Sequence, residues 1–175
     1  EDFEWIVGIN FWGVVYGTKA FLPHLKASGE GHIVNTSSVF GLAGIPSQSA
    51  YNSTKFAVRG FTEALRQELD LAGGKVSATS VHPGGIKTNI ARAARMSKSI
   101  RDIGLDDEKG SEKFEKLFMT TADSAAKTIL DAVRRNKRRV LVGPDAYVFD
   151  LLVRLLPTGY QRITSGFARA SMKKK

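Results

Sequence analysis

The sequence predicts an α/β protein built on a parallel sheet, and three observations carry that expectation. Short β-branched runs alternate with long helical patterns, an order most economically met by parallel strands with helices on their faces. The run 76–82 is apolar enough to sit inside such a sheet with both sides covered. Glycine and proline punctuate the element ends, at Gly31, Gly73-Gly74, Pro83-Gly84-Gly85 and Gly143-Pro144.

The chain opens with a helical pattern over 2–26, where Phe3, Ile6, Val7, Ile9, Trp12, Val14 and Val15 cover nearly the whole circumference. A helix apolar all round is expected to be buried. Gly13 and Gly17 would let another backbone come close, Pro23 allows a bend in the last turns, and Ser28-Gly29-Glu30-Gly31 ends the element. Asn10 is the odd polar residue inside it; a buried amide satisfied by neighbouring backbone is the plain reading. Residues 31–38 then read as a strand, short, β-branched and bounded by glycine. Alternation puts Ile33, Asn35 and Ser37 on one face and Val34, Thr36 and Ser38 on the other. The loop 39–49 contains Gly41, Gly44 and Pro46 and should be irregular.

Ser47 or Ser49 can cap the next helix, 48–71, and Ala72-Gly73-Gly74 stops it. Strand 76–82 follows, broken by Pro83-Gly84-Gly85 at its C-terminal end, where open α/β sheets place their ligands. Residues 89–121 are highly charged, with a short helix expected over 111–119 presenting Phe114, Leu117 and Phe118. A helix over 122–136 is opened by Thr121 or Asp123 and closed by Arg134 and Arg135, in keeping with the helix dipole. Strand 139–142 ends at Gly143-Pro144, and an amphipathic helix is expected over 146–156. Two units are expected: 1–144, and a basic amphipathic extension over 145–175. The extension could pack back on the fold, cover a substrate mouth, join subunits or rest on an anionic membrane surface. Packing or oligomer contact is the preferred reading of these.

Composition narrows the function. The chain has 175 residues, 42% hydrophobic and 25% charged, which suits one globular domain with a real core. It has no cysteine, which excludes disulfides and thiolate metal sites. His24, His32 and His82 lack metal-ligand spacing, so no metal site is expected. No signal peptide and no apolar run near the ~20 residues of a membrane span are evident, and a cytoplasmic location is expected. Residues 134–175 hold eleven Lys and Arg against Asp145 and Asp150, so the tail alone carries the net +9. The run Arg134-Arg135-Asn136-Lys137-Arg138-Arg139 straddles a helix end and a strand start without interleaved aromatics, so a solvated turn is expected rather than a nucleic-acid surface.

Chemistry concentrates at Tyr51-Asn52-Ser53-Thr54-Lys55. Tyr51 and Lys55, four apart on a helix, share one face. A phenol beside a fixed ammonium has its charged form favoured, so its pKa should fall from about 10 toward neutrality. A tyrosine tuned in that way can give or take a proton near working pH. Ser38, thirteen residues upstream, lies at the end of a strand, where its hydroxyl could hold a substrate oxygen beside the phenol. The result is an acid/base site for interconverting C=O and CH–OH. By itself the pair is also an ordinary helix couple with a snorkelling lysine, and the adjacent Ser37 competes with Ser38.

The window from Gly31 to Gly60 resembles the active-site segment of the short-chain dehydrogenase/reductase superfamily. So do Asn10 within Ile6-Val7-Gly8-Ile9-Asn10-Phe11-Trp12-Gly13 and the stretch Pro83-Gly84-Gly85-Ile86-Lys87-Thr88. The resemblance covers the chain well to about residue 143 and the tail poorly. It implies a Rossmann-like, doubly wound parallel sheet, incomplete at the N-terminus: no G-x-G-x-x-G occurs here, and members carry that loop upstream. It implies an NAD(P)-dependent oxidoreductase acting on a small-molecule carbonyl or alcohol, with NAD and NADP both open. Tyr51 would be the general acid/base, and Lys55 would tune it and bind the nicotinamide ribose. Ser38, favoured over Ser37 by the pattern, would orient the substrate oxygen. Asn10 would hold a water linking the lysine to solvent. Pro83 and Gly84 would lie against the nicotinamide, and the Ile86 backbone and Thr88 hydroxyl would hold its carboxamide. The helices 2–26 and 48–71 resemble the pair that joins subunits, implying a homo-oligomer. The rival reading is a catalytically inert dinucleotide-fold binding or scaffold protein, which cofactor titration would separate from an enzyme.

Overall fold

The computed structural model describes residues 1–90, 102 and 118–172, and the helix expected over 111–119 falls outside these apart from Phe118 and Met119. The first helical stretch has three parts: α1 (Asp2–Val7), a π-helical turn (Gly8–Trp12) and α2 (Gly13–Ala27), which runs through Pro23. Strand β1 (Gly31–Thr36) and a 3₁₀ turn (Val39–Gly41) lead into α3 (Ser49–Leu71). Next come β2 (Val76–Pro83), the short β3 (Ile86–Lys87) and β4 (Thr120–Thr121), then α4 (Ala122–Arg134) and β5 (Arg139–Val142). Two helices close the chain, α5 (Pro144–Leu155) and α6 (Tyr160–Met172).

The main sheet is parallel in the order β1-β2-β5. Ile33 stands beside Ala78, and Val81 beside Val140. β2 is central and buried along almost its whole length, as its composition predicted. Its alternate residues feed two apolar clusters. Val76 and Ala78 join Ile33, Leu65 and Leu69 of α3, with Leu22, Leu25 and Phe61 around them. Val81 joins Val140 and Val142 with Ala125 and Ala132 of α4. The helices thus cover opposite faces, the pattern of a wound α/β sheet. A second, two-stranded parallel sheet pairs Ile86 with Thr120; these two-residue strands were not predicted, being too short to show a period.

Several expectations need correction. The 2–26 helix is not buried all round: Phe3, Trp5, Ile9, Trp12, Tyr16 and Phe21 are exposed, because only one side packs, on α3 and β1. β1 stops at Thr36 rather than Ser38, since the Ser38 hydroxyl accepts a hydrogen bond from Phe40 N and starts the 3₁₀ turn. Neither Ser47 nor Ser49 caps α3. Gln48 takes the cap position without a side-chain bond, and Ser47 has a left-handed backbone, φ 68°. Thr121 does cap α4, accepting from Ser124 N. The basic run is tied down at its end, with Arg138 on Asp70 and Arg139 on Glu63. Beyond Pro157 the chain forms α6, which the scattered apolar pattern did not reveal.

Candidate active site

The C-terminal ends of β1 and β2 lie side by side, with Ser37 N donating to Val81 O at 2.8 Å. The two competing serines are sorted by their partners. Ser37 is buried and its hydroxyl donates to Lys55 O at 2.8 Å, inside the backbone of α3. Ser38 instead has its hydroxyl near enough to the Tyr51 phenol to favour the phenolate. Its oxygen accepts from Phe40 N at 3.1 Å, which leaves the hydroxyl proton to donate. Gly41 keeps this corner tight: a Cβ there would fall 2.2 Å from Ser37 Oγ and 2.8 Å from Lys55 O.

The Tyr51 ring meets Phe40 edge-on, centroids 6.0 Å apart. Lys55 Nζ lies 5.5 Å from the Tyr51 ring centroid and donates to Thr36 O at 3.1 Å. Ser38, Tyr51 and Lys55 therefore converge at the end of β1. The electrostatics differ from the expectation that Lys55 lowers the phenol. Burial pushes the Tyr51 pKa above its ordinary value, and the Ser38 hydroxyl pulls the other way without overcoming it. Burial also lowers Lys55. The reason is geometric: desolvation disfavours the phenolate directly, whereas the amine is turned to the Thr36 carbonyl.

Asn10 sits at the centre of the π-helical turn, where Gly13 N reaches back to Gly8 O. Its amide donates to Thr54 Oγ1 at 3.2 Å, and Thr54 Oγ1 donates to Tyr51 O at 2.8 Å. Asn10 is thus joined to the Tyr51 backbone through Thr54.

The Pro83-Gly84-Gly85 turn occupies the same end of the sheet. Gly84 N donates to Val142 O at 2.9 Å, and Gly85 N to Asp145 Oδ2 at 2.6 Å. Any Cβ at Gly84 would strike the Asp145 carboxylate at 2.1 Å. Ile86 packs on the second apolar cluster. Thr88 is exposed, and among the described residues its hydroxyl makes 3.5 Å contacts to Ile86 O and Ile90 N. Its hydroxyl and the Lys55 amine are polar groups able to engage a carboxamide and ribose hydroxyls, so the residues present fit the nicotinamide end of a dinucleotide.

Three residues of the site went unnoticed in the sequence. His82 is fully buried, and its Nδ1 lies 3.0 Å from Ser38 O. A carbonyl only accepts, so Nδ1 carries the proton and Nε2, 3.0 Å from Ser80 Oγ, accepts from that hydroxyl. The imidazole thereby joins the Ser38 corner to the strand that leads into the glycine turn. Burial holds its pKa down at about 4. Asp145 clamps the turn from the first turn of α5, with Oδ1 buried and unpaired among the described residues. Tyr160, from α6, accepts a hydrogen bond from Gly44 N at 3.0 Å. A histidine before Pro-Gly and an acid after Gly-Pro were visible, but their partners lie 44 and 60 residues away. Among the described residues no cluster of His, Asp or Glu could hold a metal ion.

Residues 1–99 match the family model for short chain dehydrogenases. A putative oxidoreductase, SadH, of Mycobacterium tuberculosis is 51% identical over 166 residues, covering 94% of this chain and 58% of that protein. Mouse dehydrogenase/reductase SDR family member 7B is 33% identical over 97% of this chain and 50% of its own length. Among solved structures, a short-chain dehydrogenase/reductase from Burkholderia phymatum in complex with NAD superposes with a TM-score of 0.78 at 28% identity, over 91% of this chain and 60% of that one. One from Burkholderia cenocepacia in complex with NADP gives 0.63 at 25%, over 83% and 53%. The chain thus spans 58% and 50% of the lengths of these two curated relatives.

Proposed function

The chain belongs to the short-chain dehydrogenase family, and on that footing we propose that it supplies the proton-transfer and nicotinamide side of an NAD(P)-dependent oxidoreductase that interconverts a carbonyl and an alcohol. The observation that carries this reading is Lys55 Nζ over the Tyr51 ring, with the Ser38 hydroxyl favouring the phenolate, at the strand end that also bears the Pro83-Gly84-Gly85 turn. The bound nicotinamide would supply the hydride that reaches the carbonyl carbon.

The chain's own residues handle the oxygen. Ser38 and Tyr51 donate to the substrate carbonyl, which localises developing negative charge there. As the carbon accepts the hydride, the C=O π pair moves onto oxygen and takes the Tyr51 proton, leaving a phenolate that solvent reprotonates. A phenol held above its ordinary pKa is fully protonated at neutral pH, so Tyr51 is charged with its proton before reduction begins. In the reverse direction it must first lose that proton, so alcohol oxidation is expected to speed up as pH rises. Lys55 would hold the ribose hydroxyls, with the Ile86 backbone and Thr88 hydroxyl on the carboxamide. Asn10 supports Tyr51 through Thr54. The exposed apolar side chains of α1 and α2 would join a second subunit. All four of Asn10, Ser38, Tyr51 and Lys55 being filled argues against an inert scaffold.

The test is Tyr51→Phe in a protein of its relatives' length, followed by nicotinamide absorbance on a panel of ketones and alcohols. Turnover is expected to fall at least a hundredfold, about the contribution of one positioned acid, while dinucleotide titration by fluorescence stays unchanged. Near wild-type turnover in the Phe variant would overturn the assignment.

A further inference from the structure

Helices α5 and α6 are held to the body of the protein by one side only. Ala146 is fully buried and Tyr160 nearly so, with its hydroxyl on Gly44 N. On α5 the opposite side is apolar and open, and α6 carries exposed apolar side chains next to its anchored Tyr160. On α5, Tyr147, Val148, Leu151 and Leu155 are 59%, 65%, 56% and 69% exposed. Their spacing puts them on a single stripe. On α6, Ile163 and Phe167, one turn apart, are 50% and 71% exposed. No helix among the described residues is long and apolar enough to cross a membrane.

Charge identifies what suits this stripe. Residues 151–175 contain six Lys and Arg and no Asp or Glu. Arg154, Arg162 and Arg169 are exposed on the same two helices. Arg154 is paired with Asp150 at 2.7 Å; Arg162 and Arg169 have no ion pair among the described residues. On α6 the two arginines fall about 100–120° around the helix from Ile163 and about 140–160° from Phe167, given ~100° per residue, so their long stems must reach back around the helix to bring charge beside the apolar side chains. Apolar side chains flanked by cations, on helices lying along a surface, match an interfacial helix on anionic lipid. An acidic protein surface would take the cations and leave six apolar side chains without an apolar partner.

We propose that α5 and α6 form a face that docks on an anionic phospholipid bilayer, with Leu151, Leu155, Ile163 and Phe167 entering the headgroup–acyl boundary and Arg162 and Arg169 meeting lipid phosphates. The proposal stands apart from the catalytic reading and needs no cofactor.

The test is cosedimentation of the full 175-residue chain with vesicles of phosphatidylcholine alone or mixed with phosphatidylglycerol. The protein pellets with the mixed vesicles, and much less with phosphatidylcholine or when ~1 M salt shortens the Debye length to about 3 Å. Replacing Arg162 and Arg169 by Gln lowers partitioning roughly thirtyfold, from about 1 kcal/mol for each basic residue near an anionic surface. Leu151→Ser with Phe167→Ser lowers it at least tenfold. All four positions are exposed, so circular dichroism and the urea midpoint stay close to wild type, and this separates lost binding from lost fold. Equal pelleting with both vesicle types, or binding untouched by the serine pair, overturns the proposal. So does an absence of pelleting with self-association that the serine pair abolishes, which would make the stripe a contact between copies of the chain.

Discussion

The burial of His82 gives the protein an acid-sensitive stability whose size follows from the structure. The imidazole has an ordinary pKa near 6.5 and is held at about 4 in the fold, chiefly because the charged ring would be shut away from water. The unfolded chain therefore binds a proton more readily than the folded one between these values. Stability rises with pH wherever the unfolded state binds more protons. The His82 contribution is thus fully present above about pH 6.5 and lost as pH falls toward 4. With 1.36 kcal/mol per pKa unit, the full loss is about 3 kcal/mol, a large share of the 5–15 kcal/mol typical of a domain. Glu63 and Asp70, whose carboxyls are held down by Arg139, Arg59, Arg138 and Arg66 against the opposing effect of desolvation, stabilise the fold at neutral pH and lose that contribution only as pH falls below their ordinary values of 4.5 and 3.8. His32, also lowered by burial, adds in the same direction. Urea unfolding of the 175-residue chain between about pH 7.5 and 4.5 should show most of this loss. The slope should be clearly shallower in His82→Gln. Nitrogen-15 NMR of the ring gives an independent reading, a neutral Nδ1–H tautomer at pH 6. A ring that titrates near 6.5, or a slope unchanged in the glutamine variant, would refute the argument.

Other substitutions separate roles that the sequence left entangled. Ser38→Ala should lower kcat by about 10²–10³-fold, the usual effect of removing one donor to a developing oxyanion. Ser37→Ala should spare kcat and cost about 1–3 kcal/mol of urea stability, because Lys55 O loses a buried donor. Gly41→Ala forces a methyl against the Lys55 backbone and should destabilise by about 1–3 kcal/mol in the same assay. Lys55→Met should raise KM for the dinucleotide and lower kcat. It should move the pH midpoint of alcohol oxidation by less than about one unit, since burial dominates the Tyr51 pKa; a larger upward shift would restore the ammonium as the controlling charge.

The sequence was most legible where a period or a punctuation mark is local. The strand 139–142 was placed to the residue, and the 48–71 helix and the 76–82 strand to within one. Parallel pairing followed from their alternation. Tyr51 and Lys55 are legible as a pair because a turn of helix brings them together without help from the rest of the chain. Relations across the fold were not readable. Charge reasoning at short range assigned the phenol a lowered pKa; burial, which only packing determines, reversed the sign. Ser37 and Ser38 look alike as neighbours, and their work was divided only when α3 came to lie beside β1. The apolar circumference of the first helix predicted a buried element, yet side chains such as Phe21 and Tyr16 face outward.

Asp145 and Tyr160 tie the last thirty residues to the body of the fold. One holds the amide of Gly85 and the other receives that of Gly44, so these two loops are each fastened from beyond residue 144. Trimming the chain after β5, a natural choice for anyone seeking a minimal crystallisable piece, would cut both fastenings at once. An engineer wishing to retune substrate preference has the opposite opportunity, because these two anchor points lie far along the chain from Tyr51 and can be altered without touching it.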